Sequence, residues 1–536
     1  MKKLPLLVFL AVCFGGCKET SHLTDQAGAD SLRQQKMQDA ELVAGNFSDQ
    51  TSFHFDSSAL LSFVKKYPDF ASYAGDLEKF YRARGYSYAW YDRRGLIEQA
   101  TGLFNRIQNL NDDGLTKSLP YIRMFQALMD DRDTLLQREP MNAEAELMLT
   151  SQYFSFARHV WQGIGEDQTR KLEWYLPRKK LDLKTLMDSL LLHSSGHPFV
   201  AREPVYRQYA LLKSYLKKYR DIESAGGWKP ISPEKKSYHK GDSSLAVRQI
   251  RKRLFVSGEY GGDTTSLLFT EDLEAAVKSF QESRGANDDG IVGTGMIREM
   301  NIPVGDIVEK IVVNMERCRW VPERMDGDYM VVNIPSFKLY VYQSDSLVWD
   351  MNIVAGQALH QTVIFTGDLK YIVFSPYWNV PMSILQNEIM PGIQSDSDYL
   401  EKHNMERVGN MVRQKPGPRN SLGLVKFLFP NSYSIYFHDT PSKSLFSKDN
   451  RAFSHGCVRL AEPKKLAQYL LRNDPEWTSA KIDASMNSGQ EKYVTLKKTV
   501  PVLIAYLTAF VGRDGKLNLR NDVYNMDTRL GQMMFQ

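Results

Sequence analysis

Apolar positions recur with helical spacing from about residue 55 to residue 225. Two examples are LLSFVKKYPDFASYAGDLEKFYRARGY and AEAELMLTSQYFSFARHVWQGI, and Gly and Asp-Asp-Gly punctuate the chain between such segments. A repeat near 3.6 residues favours amphipathic helices that bury one face. The Gly pair and the nearby prolines of ESAGGWKPIS indicate a boundary. We therefore predict an α-helical domain over residues 51–228.

A second, shorter helical pattern occupies residues 238–304. In its first half Leu245, Ile250 and Leu254 approximate one face of a helix. A second apolar face follows, made of Leu273, Ala276, Val277 and Phe280. Taken alone, the pattern predicts a small helical domain between two larger ones.

Beyond about residue 325 the pattern changes to alternating, β-branched stretches. Examples are YMVVNIPSFKLYVYQ, SLVWDMNIVAGQ and KYIVFSPYWNVP, separated by Gly, Pro and Asn turns. Period-two alternation with such turns predicts strands. Helical stretches interrupt them at SILQNEIMPGIQSDSDYLEKHN and EPKKLAQYLLRN. We predict a β-rich domain over residues 325–525 with a helical capping insert at about 382–425, so the whole chain is a multidomain α+β protein.

The N-terminus carries an export signal. MKKLPLLVFLAVCFGGCKET combines two lysines, an apolar run too short to span a bilayer, and small residues before Cys17. The last feature resembles the lipobox of bacterial lipoproteins, so we expect residues 1–17 to be a signal with lipidation at Cys17; a plain cleaved signal and an uncleaved anchor are alternatives. Residues 18–50 are polar, and we predict that they form a tether. The expected location is the periplasm or cell envelope, with a membrane anchor.

Composition narrows the possible partners. The 536 residues are 43% apolar and 24% charged, which is typical of a folded protein, and the length requires several domains. Cleavage before Cys17 removes Lys2 and Lys3 and lowers the formal charge from +5 to +3. A chain this close to neutral lacks the basic footprint of a nucleic-acid binder, so we expect no nucleic-acid partner.

Cys457 lies in a segment suited to activating a thiol. A free cysteine has a pKa of about 8.5, so nucleophilic attack at neutral pH needs a base or surroundings that favour the thiolate. His455 lies two residues away, and His438 lies 19 residues upstream at the end of an apolar strand. Either imidazole could serve as that base.

The neighbours of Cys457 add to this chemistry. Gly456 permits tight backbone geometry and close approach of a substrate. Backbone N–H groups near Cys457 could stabilise an oxyanion. Ser454 can hydrogen-bond a histidine or the local backbone, and Arg459 can hold a carboxylate or the loop itself. Together these residues predict acyl transfer through a thioester.

Three plainer interpretations of Cys457 are open. It could be a small buried apolar residue. It could form a disulfide with Cys318, the other cysteine outside the N-terminal segment. It could also join two histidines and Asp439 in a zinc site, although no His-x-x-x-His or Cys-x-x-Cys accompanies it.

The segment from His438 through Ser454-His455-Gly456-Cys457-Val458-Arg459 resembles the signature of the L,D-transpeptidases, whose catalytic domain is of the YkuD type. IYFHDTPSKSLF, GPRNSLGLVKFLFPN and YIVFSPYWNVP are similar to the large YcbB-type subfamily. That subfamily has a helical scaffold, a peptidoglycan-binding module and an insertion over the catalytic cleft. FQESRGANDDGIVGTGM likewise resembles the three-helix peptidoglycan-binding module. The order of domains therefore matches from about residue 55 to the end.

The resemblance implies a cysteine enzyme that acts on peptidoglycan stem peptides and glycan strands without a metal or organic cofactor. Cys457 would be the nucleophile and His438, not the adjacent His455, the general base. Gly456 and Cys457 would supply oxyanion-hole amides, with His455 and Ser454 shaping the loop. Two aromatic residues, Tyr436 and Trp378, resemble residues that flank the substrate cleft, although simple packing on strands explains them equally well.

The expected reaction is attack on the bond between the diamino acid and the terminal D-alanine of a tetrapeptide stem. The acyl group would then pass to the side-chain amine of a second stem, giving a 3→3 cross-link. Two alternatives remain: an L,D-carboxypeptidase on the same fold, which uses water as acceptor, and a non-catalytic wall-binding lipoprotein.

Overall fold

The computed structural model describes residues 53–92, 95–130, 142–192 and 203–535. The expectations for the signal segment, the tether and Cys17 lie outside the described residues. Within the described ranges, no helix is long and apolar enough to cross a membrane. These ranges fall into two compact units: residues 53–92, 95–108, 119–130, 142–155 and 182–192 form unit 1, and residues 109–118, 156–181 and 203–535 form unit 2. The domain boundaries given above stay predictions.

Unit 1 is helical, as the apolar spacing predicted. Its helices are Ser58–Lys66, Ala74–Ala83, Glu98–Gln108, Ile122–Asp130, Leu183–Leu192 and most of Ala143–Ala157, with a short β-pair at Tyr91–Asp92 and Gly95–Leu96. Aromatic side chains such as Phe70, Phe80 and Tyr81 are fully buried in it. Glu146 is buried among them and accepts hydrogen bonds from the backbone N–H groups of Ala89 and Trp90.

Unit 2 begins with helices that lead into the small module. The helices are Glu166–Lys171, Gln208–Ser224, Leu245–Ser257, Glu271–Arg284, Thr294–Met300 and Val304–Trp320, and the strands Ser237–Tyr238 and Val292–Gly293 pair beside them. Helices Leu245–Ser257, Glu271–Arg284 and Thr294–Met300 share one apolar core that includes Ile250, Leu254 and Phe280. The two helical faces read from the sequence therefore pack against each other.

The β-rich part of unit 2 contains one large mixed sheet. Its strands are β1 Asp328–Asn333, β2 Lys338–Gln343, β3 Ser346–Gly356, β4 Thr366–Phe374, β5 Val425–Leu428, β6 Phe437–His438, β7 Ala452–Ser454, β8 Val458–Leu460 and β9 Lys492–Ala505. The order is β7-β3-β8-β6-β5-β4-β9-β1-β2, and β2 also pairs with β3, which closes the pairings into a ring. A hairpin (Ala509–Val511, Leu517–Leu519) and helices Pro463–Leu471, Ser479–Met486 and Met526–Phe535 complete the chain.

The insert between β4 and β5 is only partly helical. It contains the helices Met382–Ile384, Leu385–Ile389, Met390–Ser395 and Tyr399–Lys402. A hairpin of Met405–Val408 and Met411–Gln414 then pairs with Trp378–Asn379. The hairpin was not predicted, although MERVGNMVRQ places a two-residue Gly-Asn turn between short strands. The insert has its own apolar cluster, so it folds as a small body attached to the sheet.

Candidate active site

The pairing of β6 with β8 brings the expected nucleophile and base together. The two strands run parallel, with Phe437 opposite Val458 and His438 opposite Arg459. The Val458 N–H donates to Tyr436 O at 3.2 Å, which sets Tyr436 beside Cys457. Because side chains alternate along a strand, these positions predict one face shared by Tyr436, His438, Cys457 and Arg459. The Tyr436 and His438 rings, 5.8 Å apart, agree with this arrangement.

His438 is buried and held in one tautomer. Its Nδ1 lies 2.5 Å from the backbone oxygen of Asp439. A carbonyl oxygen only accepts hydrogen bonds, so Nδ1 carries the proton and Nε2 is free to accept one. Burial, followed by the positive charge of Arg459, lowers the pKa of His438 from 6.5 to about 4. The imidazole is therefore neutral at pH 7 and able to act as a base.

The Asp439 side chain holds in place the backbone segment whose carbonyl oxygen accepts the hydrogen bond from His438. Its carboxylate accepts from Leu424 N–H at 2.9 Å, from Thr440 N–H at 2.7 Å and from Lys443 Nζ at 2.5 Å. Gly423 lies against it with φ of +61°, and a Cβ there would stand 2.4 Å from Asp439 Cγ. The sequence shows Asp439 directly after His438 but gives no sign of these contacts, which depend on β5 lying beside β6.

Cys457 is a partly buried, protonated thiol. Its Sγ donates to the backbone oxygen of Ser434 at 3.7 Å. Burial raises the pKa of the thiol above its ordinary value, and hydrogen bonding from Tyr436 and the charge of Arg459 oppose this only in part. A direct bond from Cys457 to His438 is not among the hydrogen bonds of the described residues. The resting site thus pairs a neutral thiol with a neutral imidazole.

The turn before Cys457 is braced by side chains. Ser454 Oγ donates to Cys457 O at 2.5 Å and accepts from Gly456 N–H at 3.2 Å. Thr362 Oγ1 donates to Gly456 O at 2.8 Å. Gly456 has φ of +110°, which side chains other than glycine's rarely adopt. In this state the Gly456 N–H, expected to face an oxyanion, is bound to Ser454, while the Cys457 N–H has no hydrogen-bond partner among the described residues.

His455 faces the insert. Its side chain is 44% exposed, its ring lies 5.2 Å from the ring of His360, and its Nε2 is 3.4 Å from Glu388 Oε1. Glu388 belongs to the insert helix Leu385–Ile389. The structure therefore places His455 against the insert, and this contact was not predicted.

Trp378 lies at the base of the insert. It pairs with Gln414 and packs on the insert's apolar cluster, so packing accounts for it in this structure. A cavity of 320 Å³ opens instead beside Tyr436 and Ser434, and the tyrosines Tyr371 and Tyr493 line its wall. Ser434 adopts a φ of +56°, a strained conformation for a residue with a side chain. Nothing in the sequence singles out Ser434 or the two tyrosines.

The structure bears on two of the plainer interpretations of Cys457, the disulfide and the zinc site. Cys318 and Cys457 are both free, and Cys318 is fully buried, so they do not form a disulfide. The carboxylate of Asp439 is occupied by the three donors described above. Within the described ranges no group of three or more His, Cys, Asp or Glu side chains is arranged to hold a metal ion.

Comparison with known proteins places the segments of the chain in families. Residues 327–483 match the family described as "L,D-transpeptidase catalytic domain" (YkuD), residues 75–216 match "Scaffold domain", and residues 243–300 match "Putative peptidoglycan binding domain". A protein of Haemophilus influenzae named "Putative L,D-transpeptidase" is 30% identical over 246 residues, which are 42% of this chain and 49% of that protein. The chain thus spans about half the length of the curated relative it matches.

Solved structures of L,D-transpeptidases also overlap with the chain. One from Mycobacterium smegmatis is 14% identical, covers 33% of this chain and 58% of its own, and has a TM-score of 0.19. One from Stackebrandtia nassauensis is 13% identical, covers 53% and 100%, and has a TM-score of 0.22. No conclusion rests on these overlaps. The family matches confirm the resemblance read from the sequence: one segment of the chain matches the L,D-transpeptidase catalytic domain of the YkuD type, and two others match a scaffold domain and a peptidoglycan-binding domain.

Proposed function

We propose that this protein is a peptidoglycan L,D-transpeptidase with Cys457 as nucleophile and His438 as general base. The observation that carries the proposal is the shared face of β6 and β8. The register puts the positions of the thiol, of an imidazole whose free nitrogen is Nε2, and of the Arg459 guanidinium on one side of the two strands, which supports their acting together. The match of residues 327–483 to the L,D-transpeptidase catalytic domain supports it.

The first half-reaction forms a thioester. Cys457 Sγ attacks the carbonyl carbon of the diamino acid at stem position three while its proton passes to His438 Nε2. The tetrahedral oxyanion accepts hydrogen bonds from the Cys457 N–H, with the Gly456 N–H as a second donor once it leaves Ser454 Oγ. Collapse breaks the bond to D-alanine, whose amine takes the proton from His438.

The second half-reaction returns the enzyme to its resting state. The side-chain amine of a second stem attacks the thioester and gives a proton to His438. Collapse of the new tetrahedral intermediate expels the Cys457 thiolate, which takes that proton back. The product is a 3→3 cross-link between two stems, and no step requires a cofactor.

Arg459 is suited to bind a carboxylate of the donor stem. Burial lowers the pKa of its guanidinium, and its buried Nε has no hydrogen-bond partner in the part of the chain that the structure describes. A buried cation without an acidic partner gains strongly from a ligand carboxylate. The 320 Å³ cavity beside Ser434 and Tyr436 would take the aliphatic part of the stem.

Such a substrate implies a location in the periplasm or cell envelope. Lipidation of Cys17 would tether the protein to a membrane, while the module at residues 243–300 would hold glycan strands. We include Tyr436 and Trp378 in this proposal as residues that flank the substrate cleft. Tyr436 is the stronger candidate because it lies beside the thiol.

The deciding experiment follows products from purified disaccharide-tetrapeptide by mass spectrometry. We expect D-alanine release and a cross-linked dimer. Cys457→Ala should abolish both, and Cys318→Ala is the matched control that should keep them, because Cys318 is buried away from the site. Tripeptide without dimer would establish the carboxypeptidase alternative. Unchanged products with Cys457→Ala would refute the proposal.

A further inference from the structure

A cavity of 440 Å³ lies between the small module and the large sheet of unit 2. From the module, the end of helix Glu271–Arg284 and the start of helix Thr294–Met300 line it. From the sheet, the turn after β1 and the loop ahead of β7 line it, together with the segment after Leu519. The volume lies within the roughly 300–1,000 Å³ typical of small-ligand sites. We call it the arginine cavity, because its walls include Arg284, Arg298, Arg451 and Arg520.

The four guanidinium groups lack acidic partners. Within the described part of the chain, none of them lies within 4.0 Å of a carboxylate oxygen. Arg284 is only 8% exposed, and neither its Nη2 nor the buried Nε of Arg451 has a hydrogen-bond partner among the described residues. The other nitrogens of Arg451 donate to the carbonyl oxygens of Lys448 and Phe337. Arg520 donates only to the carbonyl oxygens of Ser283 and Leu519 and to the amide oxygen of Asn518. Buried charges in proteins are normally paired. Arg284 is buried and Arg451 and Arg520 are half-buried, so an anion in the cavity would supply a missing partner.

The acidic residues in the wall form no ion pair with these four arginines, although the charge of Asp449 partly offsets the lowering of the pKa of Arg451 by burial. Asp289, Glu299 and Asp449 line the cavity, but Asp289 Oδ1 accepts from Gln281 Nε2 at 2.8 Å and from Ile291 N–H at 2.9 Å. Burial, joined by the positive charges of Arg284 and Arg451, lowers the pKa of Arg520 to about 10. The negative charge of Glu282 opposes this lowering of the pKa only in part.

The arginine cavity is connected to the nucleophile through the chain. Arg451 immediately precedes β7 and its carbonyl accepts from Ala355 N–H of β3 at 3.0 Å. Cys457 lies six positions after Arg451, so at most about 22 Å of extended chain joins them. A ligand in the cavity would therefore touch both the module and the strand that leads into the catalytic turn.

We propose that the arginine cavity binds free carboxylates of a peptidoglycan stem peptide on a strand held by the module. The inference rests on the proposed function for its ligand class. Guanidinium groups form paired hydrogen bonds with carboxylates, and four arginines without an ion-pair partner among the described residues line the cavity. The site would hold one strand next to the active site while another reacts.

The test locates a bound stem peptide without using catalysis. The probe is a diazirine-labelled tetrapeptide stem with free carboxylates, photo-crosslinked to the full chain carrying Cys457→Ala, and the adducts are mapped by peptide mass spectrometry. We expect adducts at 284–299 or 449–451 besides those at 434–436 in the catalytic cleft. Arg298→Gln, at an exposed position that should not disturb folding, and Arg451→Gln should each lower the yield of cavity adducts at least tenfold. Lys252→Gln, an exposed module cation outside the cavity, is the matched control and should leave the yield unchanged.

The ligand chemistry is tested by two competitors. The same peptide with its carboxylates converted to carboxamides should fail to displace the probe from the cavity, whereas unlabelled carboxylate peptide should displace it. Inorganic phosphate that displaces it better than the carboxylate peptide would overturn the ligand assignment. An absence of cavity adducts, or adducts insensitive to both arginine changes, would overturn the site. If the unaltered enzyme released no D-alanine, the proposed function would be refuted, but the cavity adducts would still be observed. The two failures are therefore distinguishable.

Discussion

Cys457 should be protonated at neutral pH, as a thiol of ordinary or raised pKa, rather than form a thiolate–imidazolium ion pair. A thiol of pKa 8.5 is about 3% ionised at pH 7, and burial raises the pKa of Cys457. His438, with its pKa lowered to about 4, is not positively charged at that pH and cannot stabilise a thiolate. The rate of alkylation by iodoacetamide at pH 7 should therefore be below about 3% of its high-pH limit and should rise about tenfold per pH unit.

The assay measures alkylation rates from pH 5 to pH 10 by intact mass, with peptide mapping to assign the label. Cys318 should stay unlabelled because it is fully buried and burial raises its pKa to about 12. Cys457→Ala is the control for background. His438→Gln should leave the shape of the pH profile unchanged while it abolishes product formation, because in the proposed mechanism the neutral imidazole acts only during attack on substrate.

A different profile would refute this reasoning. A thiolate and imidazolium pair would react at nearly its limiting rate from about pH 5 upward, so a plateau between pH 5 and pH 7 would contradict the neutral resting state. Loss of such a plateau in His438→Gln would identify His438 as the cation in that pair.

Three further changes test the surroundings of the site. The pKa of His438 is lowered from 6.5 to about 4 in the folded state, so its contribution to stability is full above pH 6.5 and is lost as the pH falls toward 4. His438→Gln should therefore remove about 3 kcal/mol of the acid destabilisation. Urea unfolding measured across this pH range checks the expectation. Arg459→Gln should raise KM roughly tenfold or more and move the acid limb of kcat/KM to higher pH, whereas Arg459→Lys should keep that limb. Gly423→Ala should cost about 1–3 kcal/mol more than Gly409→Ala in denaturant unfolding and should lower kcat, because both glycines have φ near +60° but only Gly423 meets Asp439; equal losses would contradict that contact.

The sequence was informative wherever a local pattern decides the structure. Helical spacing predicted the helices of unit 1 and of the module, and alternation predicted the sheet. The spacing from His438 to Cys457 predicted two groups that the register of β6 and β8 now sets on one face. Gly456 was expected to allow unusual backbone geometry, and its φ of +110° confirms that expectation.

The features that escaped prediction depend on residues far apart in the chain. Thr362 reaches Gly456 across 94 positions, and Glu388 of the insert meets His455 across 67. Ser434 offers a backbone carbonyl to Cys457, an interaction for which side-chain identity carries no signal. Such contacts follow from how the loops close over the sheet, which no periodicity in the sequence encodes.

In the proposed function, Arg459 would link substrate binding to the strength of the base. Its positive charge is one of the causes that lower the pKa of His438, and its guanidinium has no acidic partner among the described residues. A substrate carboxylate bound to Arg459 would neutralise that charge, so the pKa of His438 would rise toward its ordinary value only when the stem is in place. Before binding, the weak base leaves Cys457 as an unreactive thiol, which limits oxidation and adventitious acylation. The upward movement of the acid limb in Arg459→Gln measures the same coupling in the absence of substrate, and an unmoved limb would show that burial alone sets the pKa of His438.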